Sequence, residues 1–231
     1  MTAKEKNFKK ALKAAFPHTI PVLTGYLCLG IAYGILLNKT GHDVMWTVLF
    51  CVLVFAGAGQ FATIPFLITP ASPLEVFVVL TMINARHIFY GISMFGKLKN
   101  AGKYKPYIIF SMVDETFSLL YYTHPPEDVD ENQFMFAISL LDHIYWIIGS
   151  VIGTLLGYVV TFSTQGLDFV LTALFLTIIF SQIEDPKNVW PSIIGIGSGI
   201  LSLFVFGRDH FMVPAMILII ILLTVFKRKL K

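Results

Sequence analysis

Apolar residues gather into eight runs divided by short polar stretches: 20–38, 46–68, 76–95, 107–123, 134–160, 167–183, 190–206 and 211–226. About 20 apolar residues make a helix long enough to span the hydrocarbon core of a bilayer. The pattern predicts an all-α polytopic membrane protein, a helix bundle forming one membrane domain over 1–231. Ahead of the first run, Phe8, Leu12, Ala15 and Phe16 recur at helical spacing among lysines. Residues 4–16 therefore read as an amphipathic N-terminal helix on the cytoplasmic membrane surface. Pro17 and Pro21 mark the entry to the first run, which reads as a retained span because no small-residue cleavage pattern follows it.

Charge constrains how many runs cross. Lys4, Lys6, Lys9, Lys10 and Lys13 crowd the N-terminus, Lys97, Lys99, Lys103 and Lys105 share one loop, and Lys227, Arg228, Lys229 and Lys231 close the chain. Acidic residues cluster at Glu127-Asp128-Val129-Asp130-Glu131. Basic loops stay cytoplasmic, yet eight full crossings would place loop 97–105 opposite the N-terminus. The conflict disappears if one of the first three segments (46–68 or 76–95) turns back, and one of segments five to seven (167–183 or 190–206) does the same. About six crossings plus two broken or re-entrant segments remain, with both termini cytoplasmic and the acidic loop outside. Irregular backbone at membrane depth is tolerated only under protein or beside water.

A weak internal repeat points the same way. Gly30-xxx-Gly34, Gly41 and Gln60 can be laid on Gly153-xxx-Gly157, Gly166 and Gln182. With three crossings per half, the second copy would be inverted, a recurring transporter plan. Chance alignment of glycine-rich runs is the competing explanation.

Composition supports the membrane assignment: 56% of residues are hydrophobic and 13% charged, against about 25% charged in soluble domains. The basic clusters flank apolar runs, which argues for membrane topology and against nucleic-acid binding. Cys28 and Cys51 lie inside apolar runs with neither a metal-ligand spacing nor a disulfide partner outside the membrane, so no metal and no cofactor is expected.

Four polar constellations interrupt the runs. Phe55-Ala56-Gly57-Ala58-Gly59-Gln60-Phe61 weakens a helix with two glycines and sets an amide at depth. It is either a helix break lining a binding site or a tight helix–helix contact. In Asn84-Ala85-Arg86-His87, Arg86 lies about 200° from Asn84 on an ideal helix. The segment is thus enclosed on two sides or broken, with a carboxylate near Arg86. That arginine either pairs with an acid of the bundle or holds a substrate carboxylate by a two-pronged hydrogen bond. His87 is either a proton relay or a structural histidine.

Ser111, Asp114, Glu115, Ser118 and Tyr122 fall on one helical stripe, and adjacent carboxylates in a span suggest a functional site. Asp114 and Glu115 are the candidates to bind an amino group, carry a proton or neutralise Arg86. Ser139, Asp142, Trp146, Gly149, Gly153 and Gly157 share another face; its glycines read as a packing groove, and Asp142 and His143 as groups near a solvated outer end. Gly195-Ile196-Gly197-Ser198-Gly199 departs from the Gly-x-Ser-Gly pattern of rhomboid proteases at Ile196, and no intramembrane histidine neighbours it. An intramembrane enzyme is therefore not expected, and the stretch reads as a thin helix or break.

Pro21-Val22-Leu23-Thr24-Gly25-Tyr26, Gly30-Ile31-Ala32-Tyr33-Gly34, the Phe55–Phe61 motif, Asn84-Ala85-Arg86-His87 with Tyr90-Gly91, and Asp114-Glu115-Thr116 together resemble the AzlC family of bacterial branched-chain amino acid permeases. The likeness covers roughly residues 16–160. It implies export of branched-chain or similar hydrophobic amino acids across a bacterial inner membrane, and a small multi-span membrane partner of the AzlD type. The sequence carries no nucleotide-binding motif, so the reading is a proton-coupled secondary transporter. Gln60, Gly57, Gly59, Asn84 and Arg86 are its candidate substrate residues, with Asp114, Glu115 and His87 for coupling. A passive channel for a small polar solute and a scaffold subunit of a transport complex are the alternatives.

Overall fold

The computed structural model describes residues 3–69, 71–159, 176, 180, 183 and 186–226, and among them every regular element is helical. Two units divide the chain, Met1–Leu167 and Asp168–Lys231. The first contains α1 (Ala3–Lys39), α2 (Val44–Leu53), α3 (Gly57–Ile68), α4 (Pro73–Asn84), α5 (Arg86–Met94), α6 (Lys105–Phe110), α7 (Asp114–Tyr122) and α8 (Glu131–Val159).

The 4–16 stretch and the first apolar run form one helix, with Pro17 and Pro21 inside it. Ala11 and Ala15 are fully buried, in a cluster with Phe134, Met135, Ala137 and Ile138 of α8. Farther along, glycines let the two backbones touch. A methyl group at Gly30 would lie 2.9 Å from the Ser150 nitrogen, and one at Gly34 2.0 Å from the Ser150 carbonyl oxygen. From the other side, methyl groups at Gly149, Gly153 and Gly157 would lie 2.6, 2.1 and 2.7 Å from oxygens of Tyr26, Ile31 and Asn38. This is the small-residue helix contact of membrane bundles, in which backbone packing replaces a missing hydrophobic drive.

The order of these contacts fixes direction: residue numbers rise together along α1 and α8, so the helices are parallel. Two expectations are thereby corrected. Gly30-xxx-Gly34 and Gly153-xxx-Gly157 lie on helices running the same way, so these two copies are not inverted. The acidic loop before α8 shares an end with the N-terminal lysines, and Lys10 bridges Asp128. Gly166, Gln182 and nearly all of segment 167–183 lie outside the described residues.

Contacts along α8 trace the remaining segments. Thr47 of α2 meets Thr154, and the Cys51 carbonyl meets His143 halfway down α8. The chain then breaks, and α3 turns back, with Gln60 on Trp146 and Phe61 on Tyr33. Segment 46–68 is therefore a hairpin of two half-helices. Segment 76–95 is α4 and α5, bent by 44° at Ala85; it passes from the far end to the N-terminal end, where Met94 joins the Ala11–Phe134 cluster.

Segment 107–123 is a second hairpin, entering from the N-terminal end. Tyr107 of α6 reaches His143, and Leu120 of α7 lies back in the Ala11–Phe134 cluster. This segment thus turns back, although the charge pattern assigned the second reversal to segments five to seven. That reversal brings the acidic loop to the N-terminal end.

The second unit contains α9 (Pro186–His210) and α10 (Met212–Phe226). Residues 195–199 are helical; the backbone departs from helical geometry at Gly207, whose φ of 73 suits glycine. By length and composition, Phe8–Lys39, Glu131–Val159 and Val189–Gly207 are able to cross a membrane, and the bent α4–α5 pair makes a fourth. Among the described residues, the eight segments are therefore not eight crossings.

Candidate functional site

Three helix breaks converge near the middle of α8: 54–56, Ala85 and 111–113. At the first, Gly57 leaves room for the Trp146 ring, 3.3 Å from where a methyl group would sit, and Gly59 for the Asn84 amide nitrogen at 2.9 Å. Trp146 Nε1 donates to Gln60 Oε1 at 2.6 Å, which holds the start of α3 against α8. His143 secures the other side of this break: its Nε2 donates to the Cys51 carbonyl at 2.9 Å, and its Nδ1 shares a hydrogen bond with the Tyr107 hydroxyl at 2.8 Å. Cys51 lies in the last turn of α2, where carbonyls have no helical partner. One imidazole thus joins the tips of both hairpins, with Phe55 stacked on it at 4.5 Å.

The break at 111–113 corrects the expected stripe, since Ser111 sits at the end of α6 and Asp114 begins α7. Ser111 Oγ donates to the Tyr107 carbonyl at 2.8 Å and so caps α6. Asp114 and Glu115 occupy the first turn of α7, where unpaired N–H groups and the helix dipole favour negative charge.

The acid expected beside Arg86 is Asp114. Arg86 Nη1 lies 2.8 Å from Asp114 Oδ2, with the two side chains 30% and 25% exposed. Tyr90, one turn along α5, donates to Asp114 Oδ1 at 2.6 Å. Glu115 instead accepts from the Tyr26 hydroxyl of α1 at 2.9 Å. His87 packs against Tyr90 at 5.6 Å. Arg86, Asp114, Glu115, Tyr26 and Tyr90 therefore form one polar group, with His87 at its border. Gln60, Gly57, Gly59 and Asn84 form a second at the α3–α4 contact, one residue from Arg86 along the chain. Gln60 Nε2, Asn84 Oδ1 and Arg86 Nε are buried and have no hydrogen-bond partner among the described residues. Buried polar atoms are normally paired, so these three hold hydrogen-bonding capacity that the described residues leave unmet.

Asp142 and His143, expected near a solvated end, are 0% and 6% exposed. The α6–α7 hairpin covers that face of α8, and Thr116 donates to Asp142 Oδ2 at 2.8 Å. Tyr26 and Tyr107 were not candidates by sequence, since a tyrosine in an apolar run gives no sign that its hydroxyl meets a partner 89 or 36 positions away.

Residues 21–160 match the family model described as AzlC protein. The Branched-chain amino acid transport protein AzlC of Bacillus subtilis is 42% identical over 221 residues, covering 96% of this chain and 87% of that protein. A membrane protein of Helicobacter pylori is 39% identical over 228 residues, covering 97% and 99%. The Inner membrane protein YgaZ of Escherichia coli is 24% identical over 197 residues, covering 79% and 78%. No solved structure matches the chain. With the family match spanning more than half of the sequence and a relative above 40% identity along nearly all of it, the chain belongs to the AzlC family.

Proposed function

We propose that the chain is a secondary transporter that exports branched-chain or related hydrophobic amino acids across a bacterial inner membrane in exchange for protons, together with a small multi-span partner of the AzlD type. The observation that carries this reading is the Arg86–Asp114 pair held at the junction of broken helices. A charge pair at that depth is costly unless it serves a polar solute, and half-helix ends near the midplane are where transporters place such solutes.

A zwitterionic amino acid matches the chemistry present. Its carboxylate suits the Arg86 guanidinium, which forms two-pronged bonds to carboxylates. That engagement competes with Asp114 and releases it toward the substrate ammonium, which Glu115 also attracts. The first turn of α3 offers the backbone N–H groups that precede its first helical bond, from the Gln60 nitrogen to the Ala56 carbonyl. The amides of Gln60 and Asn84 complete the polar contacts. Phe55 and Phe61 supply an apolar surface beside them for a branched aliphatic side chain. His87 borders this group through the Tyr90 ring, whose hydroxyl binds Asp114.

The test is efflux of valine, leucine, isoleucine and methionine from loaded cells expressing the chain with its partner, with and without a proton uncoupler. Uncoupler-sensitive efflux of the branched substrates is expected. Efflux no faster than in cells lacking the pair would overturn the function, and an absence of stimulated counterflow in proteoliposomes would favour a channel.

A further inference from the structure

Three consecutive residues of the first turn of α7 bind three different helices. Asp114 holds Arg86 and Tyr90 of α5, Glu115 accepts from Tyr26 of α1, and Thr116 donates to Asp142 of α8. The third link differs from the others. Asp142 is 0% exposed, and among the described residues Thr116 is the one donor on its Oδ2 and its Oδ1 has no hydrogen-bond partner.

A buried carboxylate persists in ionised form when a cation and several donors surround it. Among the described residues, Asp142 has no ion pair and a single donor. Glu115 and Thr116 face it from α7, and Tyr26 from α1. His143 is its neighbour on α8, with both ring nitrogens engaged by the Cys51 carbonyl and the Tyr107 hydroxyl. With both nitrogens taken up in this way, the imidazole has no N–H left to donate to Asp142. Arg86, the cation of this region, is engaged by Asp114. The neutral acid, with its proton on the unpartnered Oδ1, is the form this environment holds.

We propose that Asp142 is the group that carries the coupling proton of transport, and that Thr116 ties its proton occupancy to the substrate site. The inference rests on the proton-exchange reading above. One proton binds Oδ1 from the aqueous phase on one side and leaves to the other for each zwitterion moved, and no other bond changes. Asp114 and Thr116 lie two residues apart on one helical turn. When a substrate carboxylate takes Arg86 from Asp114, the displaced turn loosens the Thr116–Asp142 bond and opens the acid to water.

The experiment uses the full chain with its partner in proteoliposomes, comparing wild type with Asp142→Asn and Thr116→Val. Asp142→Asn keeps the shape and is expected to retain leucine–leucine exchange while abolishing leucine-driven proton flux, read by an internal pH dye. Infrared spectroscopy is expected to show a protonated-carboxyl band that Asp142→Asn removes and Thr116→Val shifts. Wild-type proton flux in Asp142→Asn would overturn the role of Asp142 alone. Should Asp142→Asn fail to fold, an unshifted band in Thr116→Val overturns it instead. Wild-type exchange with no proton flux overturns the coupling and Asp142's part in it together.

Discussion

Removing either member of the Arg86–Asp114 pair separates a structural ion pair from a substrate site. Arg86→Ala leaves Asp114 with the Tyr90 hydroxyl alone, and Asp114→Ala leaves Arg86 without a counter-charge. At 2.8 Å, Coulomb attraction is about 6 kcal/mol at an effective dielectric constant of about 20. The side chains are 30% and 25% exposed, so water screens the pair and reduces the desolvation it would recover. Its net worth falls between the ~0–1 kcal/mol of exposed pairs and the ~3–5 kcal/mol lost on breaking buried ones. About 2 kcal/mol per single substitution follows, a fall of roughly 4–8 °C in Tm for a chain of this size.

The double variant leaves no unpaired charge and should recover about half of that loss. The assay pairs fluorescence-detected thermal unfolding of the purified complex with leucine efflux from loaded cells. All three variants should export no leucine, while the double variant unfolds at a higher temperature than either single one. Export restored along with stability in the double variant would refute the reasoning, because the pair would then hold the fold without touching substrate.

At the α1–α8 contact, a methyl group at Gly34 would lie 2.0 Å from the Ser150 carbonyl oxygen, whereas one at Gly25 meets nothing within 4 Å. Gly34→Ala should therefore destabilise by about 1–3 kcal/mol, as overpacking does, and Gly25→Ala should leave the unfolding temperature equal or slightly raised; equal shifts from both would contradict the parallel glycine contact. The direction of α8 predicts that single cysteines replacing Lys10, Lys103 and Asp128, with Cys28 and Cys51 removed, react with an impermeant maleimide from the same side of the membrane. Labelling of the Asp128 position from the opposite side would restore the inverted arrangement.

Much of the candidate site's geometry was legible in the residues. Glycines just before Gln60 pointed to a break or a tight contact, and both occur: the helix breaks at 54–56, and Gly57 and Gly59 make room for the Trp146 ring and the Asn84 amide. Asn84 and Arg86 announced another, because opposed polar faces cannot both look at lipid. An arginine at depth required an acid, and the apolar spans offered one adjacent acidic pair, of which Asp114 is the partner. These inferences succeeded because each rests on a local free-energy penalty that the residue carries wherever the chain goes.

The tertiary structure decided what such penalties leave free. Hydropathy registers that a run leaves water, and a crossing and a half-helix hairpin leave it equally, so segment 107–123 gave no sign of its reversal. Charge patterning reads lysines and weighs acids little; the loop lysines agreed with the N-terminus, but the acidic loop was free to lie on either side. Asp142 and His143 looked solvated from their place near one end of a run, until a hairpin folded over them. The sequence by itself determined a helical membrane protein with broken segments and an arginine in need of an acid. Only the fold decided that α1 and α8 run parallel, that two hairpins meet at His143, and that Asp142 is sealed beneath them, because those outcomes depend on which distant surfaces cover one another.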